Sequence, residues 1–235
     1  MTHSMEKSRA VKEMFDDIAG TYDLLNHVLS FNIDKRWRRR AVARLPHGSG
    51  TRVLDLASGT LDLALAYMQG GGGLVSCVDF SLEMLLHGLN KVPPTLDKRM
   101  QLVCADGLSL PFPDHTFDAA MCAYGMRNLT NNRRGLKELH RVLKPNASLL
   151  ILDFFRPATA TAKFFSATYN KFILPTIGGL ISKNKTAYHY LYESVCNFYS
   201  LQEYQVMMEE FGFQIVQAKN LGGGISSMIY AESLH

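Results

Sequence analysis

The sequence predicts an α/β fold with a doubly wound, mostly parallel sheet of seven strands, N-terminal helices and a helical insertion before the last strands. Three observations support this prediction. Short apolar runs alternate with helical segments from Thr51 onward, and the first run ends in small polar residues, as a buried parallel strand does. The 235 residues also suffice for one such domain with a full core. Strands that alternate with helices form a parallel sheet covered on both faces.

The part of the chain before Thr51 is predicted to be a helical cap over residues 1–50. Apolar residues recur there at the spacing of a helix: Val11, Met14, Phe15 and Ile18. The segment DKRWRRRAVARL then surrounds Trp37 with a basic face, which suits either a solvated helix or contact with a membrane. The turn PHGSG separates this cap from the core.

The core over residues 51–156 contains five predicted strands joined by helices. The strands are TRVLDLAS, GLVSCVDF, MQLVCAD, FDAAMCAYG and SLLILDFF, and the helices are 61–68, SLEMLLHGLNK and RRGLKELHRVL. Residues 157–199 break the alternation and are predicted to be a helical insertion on the substrate side, with Pro175 and a Gly178-Gly179 pair. Residues 200–235 supply a last helix, LQEYQVMMEEFGF, and two closing strands, QIVQAKN and SSMIYAES. The chain is therefore predicted to be a single domain.

Composition argues against several classes of function. The net charge is +4, and no basic stripe, zinc pattern or helix-turn-helix pattern predicts a nucleic-acid partner. The cysteines Cys77, Cys104, Cys122 and Cys196 form no CxxC pair, so no metal site is expected. The N-terminus has acidic residues early, and the chain contains no run of about 18 apolar residues. The protein is therefore expected in the cytoplasm, without a signal peptide, a transit peptide or a membrane span.

Three acidic residues fall at the carboxyl ends of the first three predicted strands, where open α/β sheets bind ligands. Asp55 lies in the first strand with Gly59 in the turn after it, Asp79 ends the second strand, and Asp106 follows the third. A small residue in the first turn lets backbone N–H groups approach a nucleoside, and an acid after the second strand can accept both ribose hydroxyls. One such acid alone would be an ordinary turn residue, but three in register indicate a binding site.

Two nucleoside cofactors compete for this pattern. An NAD site would show G-x-G-x-x-G after the first strand, whereas the sequence reads Ala57-Ser58-Gly59-Thr60-Leu61-Asp62, with a single glycine. Asp106, placed for an adenine amino group, favours S-adenosylmethionine (SAM). The sequence therefore predicts a class I SAM-dependent methyltransferase with a Rossmann-like sheet.

The motifs resemble those of the ubiquinone/menaquinone biosynthesis C-methyltransferase family along nearly the whole chain. VLDLASGTLDLA is similar to that family's first motif, usually VLDLACGTGDLA, and FDDIAGTYDLLNHVLSFNIDKRWRR is similar to its N-terminal signature. VDFSLEML, ADGLSLPFPDHTFD, YGMRN, ELHRVLKPNASLLILDFFRP, YLYESVCNFYS and MMEEFGF follow in the same order. The SAM motifs would fit many methyltransferases, whereas the N-terminal block, the GMRN run and Tyr190–Ser194 point to this family.

The resemblance implies roles for individual residues at the cofactor. Asp79 would bind the ribose of SAM, Asp106 would bind the adenine end, and Thr60 and Asp62 would lie near the methionine moiety. The full set of residues expected at the cofactor is Asp55, Gly59, Thr60, Asp62, Asp79, Asp106 and Gly107.

The resemblance also places Arg127 and Asn128 at the mouth where methyl transfer happens. A ring carbon becomes nucleophilic once a neighbouring hydroxyl loses its proton, and the nearly permanent charge of Arg127 suits the stabilisation of that oxyanion. Tyr22 is the third catalytic candidate. The choice of proton acceptor stays open among Tyr22, Tyr169, His189 and Asp153.

The reaction implied by the resemblance is C-methylation of a reduced polyprenyl quinone precursor, demethylmenaquinol to menaquinol, in menaquinone biosynthesis. A ubiquinone-pathway benzoquinol, or both acceptors, is the first alternative. Another small-molecule SAM methyltransferase and a non-catalytic protein with the SAM fold are the others. Aromatic residues and lysines between Phe164 and Tyr199 would suit a lipid tail and contact with the inner face of a bacterial cell membrane, or ordinary packing over the site. A homodimer is left open.

Leu61 departs from the family pattern, because it stands where glycine is usual. Its side chain would either crowd the methionine end of SAM or point into the helix packing. Crowding would favour the non-catalytic alternative, and the sequence does not decide between the two positions.

Overall fold

The computed structural model describes residue 9 and residues 11–20, 22–23, 32–157 and 185–235. Its strands are β1 (Arg52–Leu56), β2 (Leu74–Asp79), β3 (Met100–Cys104), β4 (Phe117–Ala123), β5 (Leu143–Asp153), β6 (Phe213–Leu221) and β7 (Ser226–Ser233). They form one seven-stranded sheet in the order β3-β2-β1-β4-β5-β7-β6. The pairs from β3 to β5 are parallel, and β7 runs antiparallel to both of its neighbours. The predicted doubly wound, mostly parallel sheet is confirmed.

Helices cover both faces of this sheet. They are α1 (11–20), α2 (Ile33–Val42), α3 (Asp62–Gln69), α4 (Leu82–Leu89), α5 (Pro94–Asp97), α6 (Asn132–Val142), α7 (Lys185–Cys196) and α8 (Leu201–Glu210), with 3-10 turns at Met126–Asn128 and Gly222–Gly224. Most of the predicted insertion lies outside the described residues, and α7 is its described end. Within the described ranges, no helix is both long and apolar enough to cross a bilayer.

The structure differs from the predicted elements in three places. Strand β5 begins at Leu143, before the predicted start at Ser148, because the chain pairs with β4 as soon as α6 ends. The short helix α5 was not predicted; it begins at Pro94, whose fixed φ favours the first helical position. Helix α3 begins at Asp62 rather than Leu61, because Leu61 adopts a left-handed conformation with φ 67°.

Two apolar clusters hold the helices on the sheet. One packs α6 and α8 against the sheet around Phe117, Leu136 and Tyr204. The other packs α2, α3 and α4 around Trp37 and Tyr67. Strand β1 is buried between them on both sides. Its carboxyl end therefore lies near the middle of the edge at which the parallel strands end.

Candidate active site

A cleft opens at this edge, where the carboxyl ends of β1 to β4 meet. The strand order reverses between the neighbouring strands β1 and β4: β2 and β3 follow on one side of this pair, and β5 follows on the other. Doubly wound sheets bind ligands in the crevice at this point of reversal. Its floor includes Leu56, Ala57, Gly59, Val78, Asp79, Phe80, Ser81, Met84, Asp106, Gly107, Tyr124 and Asn128. Its roof, contributed by the N-terminal cap, consists of Val11, Lys12, Phe15 and Tyr22.

The cleft brings together most of the residues predicted for the site. Those that line it are Tyr22, Gly59, Asp79, Asp106, Gly107 and Asn128. Asp55, Thr60, Asp62 and Arg127 do not line it, and each has a different environment.

Asp79 closes the turn after β1. Its Oδ2 accepts a hydrogen bond from the backbone N–H of Gly59 at 2.8 Å, and its Oδ1 accepts one from the N–H of Ser81 at 2.9 Å. Burial raises the pKa of this carboxyl group, and the N–H donors pull the pKa in the opposite direction. An ionised carboxylate can accept about four hydrogen bonds, so the backbone donors leave acceptor capacity for a ribose hydroxyl.

Asp106 stands at the exposed end of the cleft. Its Oδ1 accepts a hydrogen bond from the N–H of Leu108 at 2.9 Å, which fixes the turn after β3. Gly107 packs closely against two leucine side chains. A β-carbon added at Gly107 would lie 3.0 Å from Leu56 Cδ1 and 3.3 Å from Leu129 Cδ2. The turn can thus lie close to a bound base while the acid remains accessible.

Asp55 lies inside β1, behind the cleft. It is fully buried, and within the described ranges neither carboxylate oxygen has a hydrogen-bond partner. Burial raises the pKa of this carboxyl group to about 8. Asp55 is therefore mostly protonated at neutral pH, which suits a support for the turn better than a charged contact with the cofactor.

Thr60 and Asp62 contact the N-terminal cap. The hydroxyl of Thr60 donates to Asp23 Oδ1 at 2.5 Å, and Lys91 Nζ lies 2.5 Å from Asp23 Oδ2 and 2.7 Å from Asp62 Oδ1. Asp62 Oδ2 is also 3.6 Å from Nη1 of the buried Arg38. Sequence reasoning missed Asp23 and Lys91, although Asp23 belongs to the N-terminal signature. These contacts hold the roof of the cleft to the turn after β1.

The guanidinium of Arg127 is buried beside the cleft. Its Nη1 pairs with Asp153 Oδ1 at 2.9 Å and donates to the carbonyl oxygen of Tyr124. The group also lies over the Phe154 ring, 5.3 Å from its centroid, and it interacts electrostatically with Tyr22. Asp153, one of the candidate proton acceptors, is thus the counter-ion of Arg127.

Asn128 lines the cleft and binds a residue to which sequence reasoning gave no catalytic role. Tyr190 of α7 donates its hydroxyl hydrogen to Asn128 Oδ1 at 3.0 Å. Tyr190 belongs to a motif that carried the family resemblance, so the signal was present in the sequence without an assigned chemistry.

The remaining candidates lie elsewhere. His189 is exposed on α7, 3.4 Å from Glu193, and does not line the cleft. Tyr169 and the residues from Phe164 to 184, which were expected to accommodate a lipid tail, lie outside the described residues.

The residues of the cleft fit a nucleoside cofactor. Asp79 offers acceptors for a ribose, and Phe80 and Met84 offer apolar surface for a base. Phe80 is 43% exposed, so the face of its ring is accessible for stacking on a base. In the described part of the chain, no group of His, Cys, Asp or Glu could hold a metal ion.

Comparisons with known proteins agree with this geometry. The model of the ubiE/COQ5 methyltransferase family matches residues 1–232. The "Ubiquinone/menaquinone biosynthesis C-methyltransferase UbiE" of Geotalea uraniireducens (strain Rf4) is 40% identical, over 97% of this chain and 97% of the relative. The "Demethylmenaquinone methyltransferase" of Staphylococcus saprophyticus is 34% identical, over 97% of this chain and 98% of the relative.

Solved structures share the fold at low sequence identity. A SAM-dependent methyltransferase from Aquifex aeolicus superposes with a TM-score of 0.61 at 20% identity, over 84% of this chain and 89% of that one. Another from Thermotoga maritima gives a TM-score of 0.66 at 19% identity, over 94% and 98%. The predicted class I SAM-dependent methyltransferase fold is confirmed, and so is the prediction of SAM as the cofactor.

Proposed function

The chain belongs to the ubiE/COQ5 methyltransferase family, and we propose that it methylates a ring carbon of a reduced polyprenyl quinone precursor, converting demethylmenaquinol to menaquinol. The predicted family and the predicted enzyme class, a SAM-dependent methyltransferase, are confirmed. The choice of acceptor and the roles of the site residues are the proposal.

One observation supports the proposal above all. Asp79 and Asp106, the expected cofactor ligands, line the same cleft as Tyr22 and Asn128, the candidates for contact with the acceptor. A methyl donor and its acceptor must meet within about 3–3.5 Å, and a single cleft with cofactor groups at one side and polar groups under an aromatic roof allows this.

The chemistry requires an electron-rich ring carbon. SAM, when bound by Asp79, Asp106 and the turn at Gly59, supplies an electrophilic methyl group. The protein has to favour the phenolate form of the acceptor, because loss of the hydroxyl proton increases electron density at the adjacent carbon. We assign this task to Arg127, whose guanidinium is buried beside the cleft, pairs with Asp153 and interacts electrostatically with Tyr22. In this proposal the amide of Asn128 and the hydroxyl of Tyr22 bind the acceptor oxygen, since both residues line the cleft.

The acceptor is tested by methyl transfer. Purified protein is incubated with SAM and chemically reduced demethylmenaquinone of short tail length, and in parallel with the matching benzoquinol, and the products are measured by mass spectrometry. We expect a methylated naphthoquinol that is absent with the Asp79→Ala variant. A methylated benzoquinol alone would assign the chain to the ubiquinone pathway. No product from either, with SAM binding intact, would reject the quinone acceptor.

We also propose that the protein works in the cytoplasm at the inner face of the cell membrane, since its acceptor is a lipid. Sedimentation with anionic vesicles that contain the quinol, compared with vesicles that lack it, tests this. Protein that remains in the supernatant with both would contradict it.

A further inference from the structure

We propose that Tyr190 is a positioning residue, whose hydroxyl fixes the side-chain amide of Asn128 so that an amide N–H faces the acceptor. This inference rests on the proposed function, because the group that the amide would bind is an oxygen of the quinol ring. Tyr190 itself does not line the cleft, so it acts through Asn128.

The geometry is a chain of three groups. The Tyr190 hydroxyl donates to Asn128 Oδ1 at 3.0 Å, and Asn128 Nδ2 donates to the carbonyl oxygen of Tyr124 at 3.3 Å. In the described part of the chain the amide makes these two hydrogen bonds. An amide nitrogen carries two donors, so the second N–H of Asn128 is available to a ligand in the cleft.

The orientation of this amide depends on its partners. The oxygen and nitrogen of an amide have nearly the same shape, so packing does not distinguish them and the hydrogen bonds do. The bond to Tyr124 is long for N–H···O, for which about 2.7–3.2 Å is usual, and the same carbonyl also accepts from Arg127. The Tyr190 hydroxyl, at 3.0 Å, is therefore the stronger constraint on the amide.

Tyr190 is in turn held in place. The edge of its ring meets Phe15 of the roof, with centroids 6.4 Å apart and planes at 86°. Phe15 also meets Tyr22, with centroids 5.9 Å apart. Burial raises the pKa of Tyr190, so its hydroxyl keeps its proton and remains a donor at neutral pH. The described end of the insertion, α7, thus contacts Asn128 of the cleft through the Tyr190 hydroxyl.

If Tyr190 only packed α7 against its neighbours, its ring would suffice and its hydroxyl would be dispensable. Tyr190→Phe keeps the ring and removes the hydroxyl, and Tyr192→Phe is a matched control, since Tyr192 lies on the same helix and is 46% exposed. The kinetic test is a double-mutant cycle of Tyr190→Phe and Asn128→Ala, with kcat and KM measured on the reduced demethylmenaquinone analogue and the SAM Kd measured by calorimetry.

We expect Tyr190→Phe to lower kcat/KM for the quinol about tenfold, the value of one good hydrogen bond, with the SAM Kd unchanged. In the Asn128→Ala background the same substitution should have no further effect, because its route of action is gone. An equal loss in both backgrounds, or full activity of Tyr190→Phe, would overturn the proposal, as would an equal loss in Tyr192→Phe.

A second readout separates this inference from the proposed function. The side-chain amide of Asn128 gives a pair of NMR signals in ¹⁵N-labelled protein without substrate. Tyr190→Phe should shift or broaden this pair and Tyr192→Phe should not; an unmoved pair contradicts the positioning role. A wild-type protein that fails to methylate any quinol while the amide signals respond would reject the acceptor and retain the positioning of Asn128 by Tyr190.

Discussion

Leu61 fills the space that a side chain on Gly88 would occupy: a β-carbon built on Gly88 would lie 2.5 Å from Leu61 Cγ. Leu61 is fully buried in the apolar cluster between the sheet and α2 to α4, and it does not line the cleft. The branched residue that replaces the family's usual glycine is thus accommodated by a glycine on the facing helix. Of the two positions that the sequence left open for this side chain, the structure shows the one in the helix packing and not the one at the cleft.

Leu61→Gly should destabilise the protein. The left-handed conformation of Leu61, φ 67°, costs an L-residue about 1–2 kcal/mol, which glycine would recover. Loss of a buried leucine side chain costs about 2–5 kcal/mol, so the net loss of stability should lie between about 0 and 4 kcal/mol, with a central value of about 2 kcal/mol. Urea unfolding measures this, with SAM affinity expected to stay within about twofold of wild type. A more stable variant would show that strain outweighs packing.

Gly88→Ala should weaken both folding and SAM binding. The new β-carbon would lie 2.7 Å from the carbonyl carbon and 2.8 Å from the carbonyl oxygen of Thr60, besides Leu61, so the turn after β1 has to move. Overpacking of this kind costs about 1–3 kcal/mol. Adding Leu61→Gly should restore only part of the stability, because the clash with the Thr60 backbone remains. Gly50→Ala, with nothing within 4 Å of the added carbon, is the control, and full rescue by Leu61→Gly would contradict the assignment.

Asp79→Ala should abolish most SAM affinity. The proposed charge-assisted hydrogen bonds to the ribose, worth about 2–4 kcal/mol in total, would be lost, and the N–H groups of Gly59 and Ser81 would lose their acceptor. Asp106→Ala should cost less, since Asp106 is exposed. Calorimetric titration with SAM compares the two variants. Equal affinity of Asp79→Ala and wild type would reject the ribose contact.

The pattern of alternating elements was sufficient to predict the sheet, because a parallel strand buried on both faces needs a short apolar run whatever its neighbours are. It was also sufficient to place Asp79 and Asp106, since strand ends in one sheet meet at one edge. It could not show that Arg127 pairs with Asp153 or that Tyr190 reaches Asn128, because these partners are 26 and 62 residues apart. Such contacts depend on how helices and strands pack against one another, and the spacing of apolar residues within one element carries no information on that.

The contribution of Asp55 to the stability of the fold should fall as the pH rises from about 4 to about 8. Its pKa is about 3.9 in an unfolded chain and about 8 in the fold, so the native state binds more protons between these values. Stability from this group is complete below about pH 4 and is lost as the pH rises through about 8. Asp55→Asn carries no such proton, and its free energy of unfolding should vary less with pH over this window. Parallel curves for the two proteins, measured by urea unfolding, would contradict a protonated Asp55.

Arg127→Lys should retain SAM binding and lose turnover. Both hydrogen bonds, to Asp153 and to the Tyr124 carbonyl, come from Nη1 of a planar group that also lies over the Phe154 ring. A lysine ammonium is a compact, strongly hydrated point charge, and it would lose this stacking. We expect kcat to fall at least about tenfold, the cost of one lost charged hydrogen bond. Arg133→Lys is the matched control, because Arg133 is exposed and pairs with Glu210 at 2.7 Å. Single-turnover methyl transfer measures the chemical step apart from product release. Wild-type rates in Arg127→Lys would show that a positive charge alone suffices, and wild-type rates in Arg127→Met as well would remove this residue from the mechanism.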